Sequence, residues 1–160
     1  MDTSTQTTPP VTFSLTVNAS PQRAFEVFTD QVHSWWPTEY HIGDQQPEAI
    51  VIEPHGGGRW FERAADGAEC NIGTVLAWEP PHRLVLAWQL NGRWAYEPDL
   101  DLASEVEVRF VEDAPGRTRV ELCHSKLERH GADAAAVHGG VSAEAGWPMI
   151  MGRYASAVNA

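Results

Sequence analysis

From Val11 to Val17 apolar and polar residues alternate, with Val11, Phe13, Leu15 and Val17 on one side and Thr12, Ser14 and Thr16 on the other. A period of two in such a run predicts a half-buried strand. The period then lengthens. Ser20-Pro21 supplies an N-cap followed by proline at the first helical position, and Ala24, Phe25, Val27 and Phe28 follow at helical spacing. Thr29-Asp30 is expected to cap a second short helix carrying Val32, Trp35 and Trp36 on one face and ending at Pro37.

From residue 48 the pattern returns to strands. Glu48–Glu53, Arg59–Ala64, Glu69–Trp78 and Arg83–Leu90 are separated by Gly56-Gly57-Gly58, Asp66-Gly67 and Glu79-Pro80-Pro81, which punctuate in the manner of hairpins. Residues 91–103 read as a longer, aromatic-containing loop. Ser104–Val111 alternates again, with Val106, Val108 and Phe110 inward, and after a turn at residues 112–116 the last strand places Thr118, Val120, Leu122 and His124 on one side. Residues 128–141 are Ala-rich and broken by Gly139-Gly140, a short helix or an ordered loop. Gly146-Trp147-Pro148 opens a final helix in which Trp147, Ile150, Met151, Tyr154 and Val158 form one apolar stripe. A strand, two short helices, about six antiparallel strands and an amphipathic last helix make an α+β domain in which the sheet buries one face against that helix. A sheet that curls around the helix leaves a cavity between them. Residues 1–10, Thr-rich and ending in Pro9-Pro10, read as a flexible tail, and residues 11–158 as one domain.

Composition narrows the function classes. A formal net charge of −11, with 11 scattered Lys and Arg, disfavours phosphate backbones and anionic headgroups, so neither nucleic acid nor membrane is expected as a partner. No apolar run approaches the roughly 18–20 residues that cross a bilayer, and residues 1–10 carry no secretory pattern. Cys70 and Cys123 stand alone, outside any Cys-x-x-Cys spacing, as expected for reduced thiols in a cytoplasmic protein. The seven histidines form no metal-binding spacing, and the triple glycine lacks the lysine and following helix of a phosphate loop; neither metal nor other cofactor is expected. No nucleophile-elbow motif occurs, so no catalytic residue is assigned.

Several stretches resemble the helix-grip superfamily of START-type lipid-transfer domains and polyketide cyclases (the SRPBCC superfamily), and more narrowly its branch of homologues of the activator of heat-shock-protein-90 ATPase. They are residues 19–30 after the first strand, Trp35-Trp36-Pro37, Gly57-Gly58-Arg59-Trp60, Gly73-Thr74-Val75 with residues 78–85, residues 116–122 with His124, and Gly146-Trp147. The resemblance spans residues 11–158 in order and implies a curved antiparallel sheet wrapped around a long C-terminal helix. It also implies a bacterial protein that binds a small hydrophobic ligand.

Tryptophan density and strand parity nominate the cavity wall. There are seven tryptophans, and buried indoles suit large apolar cavities with a few polar groups, although they also fill ordinary cores. The candidate ligand-binding residues are Trp35, Trp36, Trp60, Glu62, Trp88, His124, Trp147 and Met151. An inward Glu62 needs a partner, for which Arg59 or an indole N–H could serve. His124 is read either as a satisfied core histidine or as a group that meets a ligand oxygen. The expected function is binding of a small hydrophobic or amphipathic molecule. The alternatives are a polyketide cyclase, aromatase or hydrolase-like enzyme using Glu62 or His124, and a chaperone-regulating interaction protein; a homodimer is left open.

Overall fold

The computed structural model describes residues 8–160; most of the expected N-terminal tail, residues 1–7, lies outside the described residues. Seven strands form one antiparallel sheet: β1 (Val11–Val17), β2 (Ala49–Ile52), β3 (Arg59–Arg63), β4 (Glu69–Glu79), β5 (Arg83–Trp88), β6 (Ser104–Ala114) and β7 (Arg117–Ser125), in the spatial order β1-β7-β6-β5-β4-β3-β2. Three α-helices accompany them: α1 (Pro21–Thr29), α2 (Ala134–Ser142) and α3 (Trp147–Asn159). This is the α+β helix-grip arrangement. The alternation read in β1 holds, with Val11 and Val17 buried and every second residue exposed. In β7, Thr118, Val120, Leu122 and His124 are all buried. The whole stripe of α3 is buried too.

Sheet curvature has local causes. Register shifts fall at Trp60/Phe61 between β3 and β4, at Val75/Ala77 between β4 and β5, and at Glu112/Ala114 between β6 and β7. Each extra residue bends its strand and adds twist. The triple glycine feeds this bend: Gly57 sits at φ +85°, its N–H reaches the Val75 carbonyl at 2.8 Å, and the Val75 N–H returns to the Gly58 carbonyl at 2.8 Å. Gly73 serves close approach instead. A methyl group there would run into the Ala87 carbonyl of β5 and sit 3.0 Å from the Trp60 ring. These glycines shape the grip.

The expected second short helix is only a 3-10 turn, Val32–Ser34. Thr29 is not free to cap it, because its hydroxyl donates back to the Phe25 carbonyl at 2.8 Å and the Asp30 N–H continues α1 onto the Glu26 carbonyl. Trp35 and Trp36 still reach the core, the Trp35 indole N–H donating to the Val27 carbonyl at 2.8 Å. Residues 128–141, expected as a short helix or an ordered loop, are helical: a 3-10 segment, Leu127–Asp133, kinked at Gly131, and then α2.

α3 is fastened to α1 by packing and by one polar contact. Tyr154 lies edge-on to Phe28 and Trp35, at 5.2 Å from each, and its hydroxyl donates to the Ala24 carbonyl at 2.7 Å. Tyr154→Phe removes this one bond without making a cavity, so a loss of about 1 kcal/mol in urea unfolding is expected. A loss near zero would mean the bond contributes nothing net. The outer sheet face carries exposed ion pairs such as Arg59–Glu69 and Arg109–Glu107, each of small net effect.

Candidate functional site: an indole-lined cavity

Aromatic side chains from five segments converge at the N-terminal end of α3. Trp36 follows the 3-10 turn, Trp60 stands on β3 and Trp88 ends β5; Trp94 comes from the loop after β5, and Trp147 opens α3. Their rings meet edge to face: Trp36–Trp60 at 5.3 Å, Trp60–Trp88 at 5.8 Å, Trp88–Trp147 at 5.7 Å and Trp88–Trp94 at 6.4 Å between centroids. Edge-to-face pairs place the positive rim of one ring on the negative face of another and are each worth about 0.5–1.5 kcal/mol beyond burial.

Between these rings lies a cavity of about 340 Å3, lined by Trp36, Tyr40, His41, Ile42, Trp88, Leu90, Trp94, Gly140, Val141, Ala145, Gly146, Trp147 and Ile150. The volume is within the range of small-molecule sites. A wider depression of about 910 Å3 over Thr38, Gln46, Met149 and Arg153 is open to solvent. Of the eight residues nominated from sequence, Trp36, Trp88 and Trp147 line the cavity. Trp60 and His124 stand directly behind them, His124 at 5.2 Å from the Trp88 ring. Trp35 and Met151 belong to the core between α1, α3 and the sheet. Glu62 is elsewhere engaged.

Glu62 is buried and accepts two backbone hydrogen bonds, from the Ile42 N–H at 3.0 Å and from the Gly43 N–H at 2.6 Å. Its partner is therefore neither Arg59 nor an indole. Arg59 faces outward, stacking 4.0 Å above the Phe61 ring and pairing with Glu69. Main-chain amides satisfy the carboxylate, and in return the carboxylate holds residues 38–47, which carry no helix or strand. That stretch delivers Tyr40, His41 and Ile42 to the cavity.

His124 occupies a chain of four groups. The Trp147 indole N–H, which can only donate, reaches His124 Nδ1 at 3.0 Å. Nδ1 is then the acceptor and Nε2 carries the proton, which goes to Ser104 Oγ at 2.7 Å. The Ser104 hydroxyl in turn donates to His130 Nε2 at 2.7 Å. Every proton in this chain is assigned by a neutral His124. Burial first, and then the neighbouring His130 and His138, push the His124 pKa down to about 3. Burial also lowers that of His130, against the opposing pull of Asp133. His124 is thus a satisfied wall histidine behind the indoles of Trp88 and Trp147.

Loop residues complete the mouth. Asn91 Oδ1 accepts from the Arg93 and Ala95 N–H groups, and Gly92 N–H donates to Asp133 Oδ2 at 3.1 Å. Trp94 is held there at φ +60°, half-exposed, with its ring against Gly140, where a methyl group would come within 2.6 Å of it. Sequence reasoning had not nominated Tyr40, His41, Trp94 or Gly140. The one available signal was the paired Gly139-Gly140, read as a helix interruption when it also makes room for an indole. Among the described residues no three His, Cys, Asp or Glu side chains are grouped as metal ligands, and no helix is long and apolar enough to cross a membrane.

A curved antiparallel sheet gripping a C-terminal helix, with an indole-walled cavity at one end, defines a START-like domain. The chain belongs to the family of Activator of Hsp90 ATPase homolog 1-like proteins, whose model matches residues 18–158. Among solved structures it is similar to an anthrahydroquino-γ-pyrone synthase, Txn09, complexed with SUM, at 40% identity over 94% of this chain and 97% of that one, with a TM-score of 0.66. It is also similar to CalC, a self-sacrificing resistance protein from Micromonospora echinospora, at 31% identity over 94% of each chain and a TM-score of 0.70. The Aha1 dimer of Colwellia psychrerythraea shares the fold, at 15% identity over 95% of this chain and 97% of that one and a TM-score of 0.61. No curated protein sequence matches the chain.

Proposed function

We propose that this protein binds a flat, fused-ring aromatic molecule of the polyketide type in the cavity between Trp36, Trp88 and Trp147. The observation that carries this reading is the wall itself: indole faces and edges on several sides of a space of about 340 Å3. Such a wall favours stacking on a rigid aromatic ligand over a flexible acyl chain. The 40% identical relative supports it, since its name describes a fused aromatic product. Native mass spectrometry against fused-ring aromatics and fatty acids tests the proposal, with micromolar retention of the aromatics expected. Ala145→Trp, an exposed change at the cavity mouth, is expected to weaken that binding at least tenfold without affecting folding. Failure to retain any aromatic would end this reading.

A second reading is ring-forming catalysis in the same cavity, favoured by the relative's being a synthase. Recovery of a supplied open precursor as its ring-closed product marks this outcome, and recovery unchanged marks binding alone.

A further inference from the structure

The cavity's walls are mostly apolar, broken by the Tyr40 hydroxyl, which donates to the Ala145 carbonyl, by the buried Trp88 indole N–H, unpartnered among the described residues, and by His41. His41 Nδ1 lies 2.7 Å from the Gly43 carbonyl oxygen. A carbonyl can only accept, so Nδ1 holds a proton, and in the neutral ring Nε2, on the far edge, has the lone pair. Among the described residues no donor reaches Nε2. The ring's setting depends on the Gly43 peptide, and that peptide is gripped from behind by Glu62, through the Gly43 N–H at 2.6 Å and the Ile42 N–H at 3.0 Å. Gly43 sits close against both neighbours: a Cβ there would lie 3.1 Å from Glu62 Oε1 and 3.1 Å from Cys70 Sγ.

Resting on the reading of the cavity as an aromatic ligand site, we infer that His41 Nε2 accepts a hydrogen bond from an acidic hydroxyl, a phenol or enol, on the bound molecule, and that Glu62 is the positioning residue that sets the His41 ring. A buried carboxylate held by two main-chain amides is a stiff anchor on a sheet strand, and it fixes a loop that has no ladder of its own. The ligand class follows from the chemistry. A neutral imidazole lone pair selects a donor, and a fused aromatic system supplies one as a ring hydroxyl.

The test compares two probes, 2-hydroxyanthraquinone and anthraquinone, titrated against the full chain by tryptophan quenching. Wild type is expected to prefer the hydroxylated probe by on the order of tenfold, the share of one well-placed hydrogen bond. His41→Phe is expected to bring the ratio of affinities to about one while anthraquinone binding persists. Glu62→Gln, which replaces one acceptor by a donor facing the amides, is expected to shrink the ratio in the same direction. A purely structural Glu62 would lower both affinities together and leave the ratio unchanged. If Glu62→Gln does not fold, Gly43→Ala displaces the same contact and is expected to shrink the ratio as well. Equal affinities in wild type, or a preference that survives His41→Phe, overturn the assignment while leaving aromatic binding intact. Failure of both probes to bind wild type removes the cavity reading and this inference with it.

Discussion

Trp147→Ala is expected to destabilise the protein by about 3–5 kcal/mol, read as a lower midpoint in urea unfolding at pH 7.5. Three losses coincide at this residue. The indole is almost fully buried at the start of α3, it packs edge-on against Trp88 and Trp36, and its N–H is the donor that satisfies His124 Nδ1. Alanine therefore opens a cavity and also strands a buried acceptor. Trp147→Phe reduces the cavity term, because it keeps a six-membered ring in place of the fused indole, while still losing the N–H; a loss of about 1–3 kcal/mol is expected. If Trp147→Ala costs less than about 1 kcal/mol, the head of α3 is not part of the cooperative core.

Acid should weaken the fold earlier than its carboxylates alone would. His124 is neutral in the folded protein because burial holds its pKa near 3, whereas in the unfolded chain it titrates near 6.5. Above about 6.5 both states are neutral and the residue adds no pH dependence. Below that, the unfolded chain takes up a proton that the folded state refuses, so stability falls as pH falls, by about 1.4 kcal/mol per pH unit, until the folded pKa is reached. The full swing is on the order of 5 kcal/mol, and His130, also lowered by burial, acts with the same sign. Glu69 and Glu107, whose pKa values their arginine partners lower, stabilise the fold above the ordinary carboxylate range and lose that contribution as pH falls through and below it. The interval from pH 6.5 to 5 thus isolates the histidines. Urea unfolding at those two values should differ by about 2 kcal/mol, and His124→Asn, which keeps an acceptor for Trp147, should remove most of that difference. A slope unchanged in His124→Asn would locate the titration elsewhere.

Periodicity carried the reading wherever a residue's burial follows from its own element. The α3 stripe and the inward sides of β1, β6 and β7 were legible because strand and helix periods project straight onto one face. Glu62 was placed inward by the same parity, but its partners were not legible: main-chain amides of Ile42 and Gly43, some twenty residues upstream, leave no mark in the residue types. Tyr40 and His41 lie between Pro37 and Pro47 in a stretch without period, so nothing local states that they meet Trp88 across the cavity. His124 was read with two outcomes, and Ser104 and His130, from strand and 3-10 segment, decide its hydrogen bonding. Thr29 misled for a local reason, as a hydroxyl that caps can equally well bond back into the helix before it.

Six of the seven tryptophans, Trp35, Trp36, Trp60, Trp88, Trp94 and Trp147, touch in one unbroken series with neighbouring centroids 5.3–6.4 Å apart. At such spacing light absorbed by any one indole passes among the others before it is emitted. The series is a single antenna, and its emission belongs to the set. A molecule stacked on Trp88 alone would draw excitation from Trp35 and Trp60 as well, so the protein's own glow would report more of the cluster than the single ring in contact.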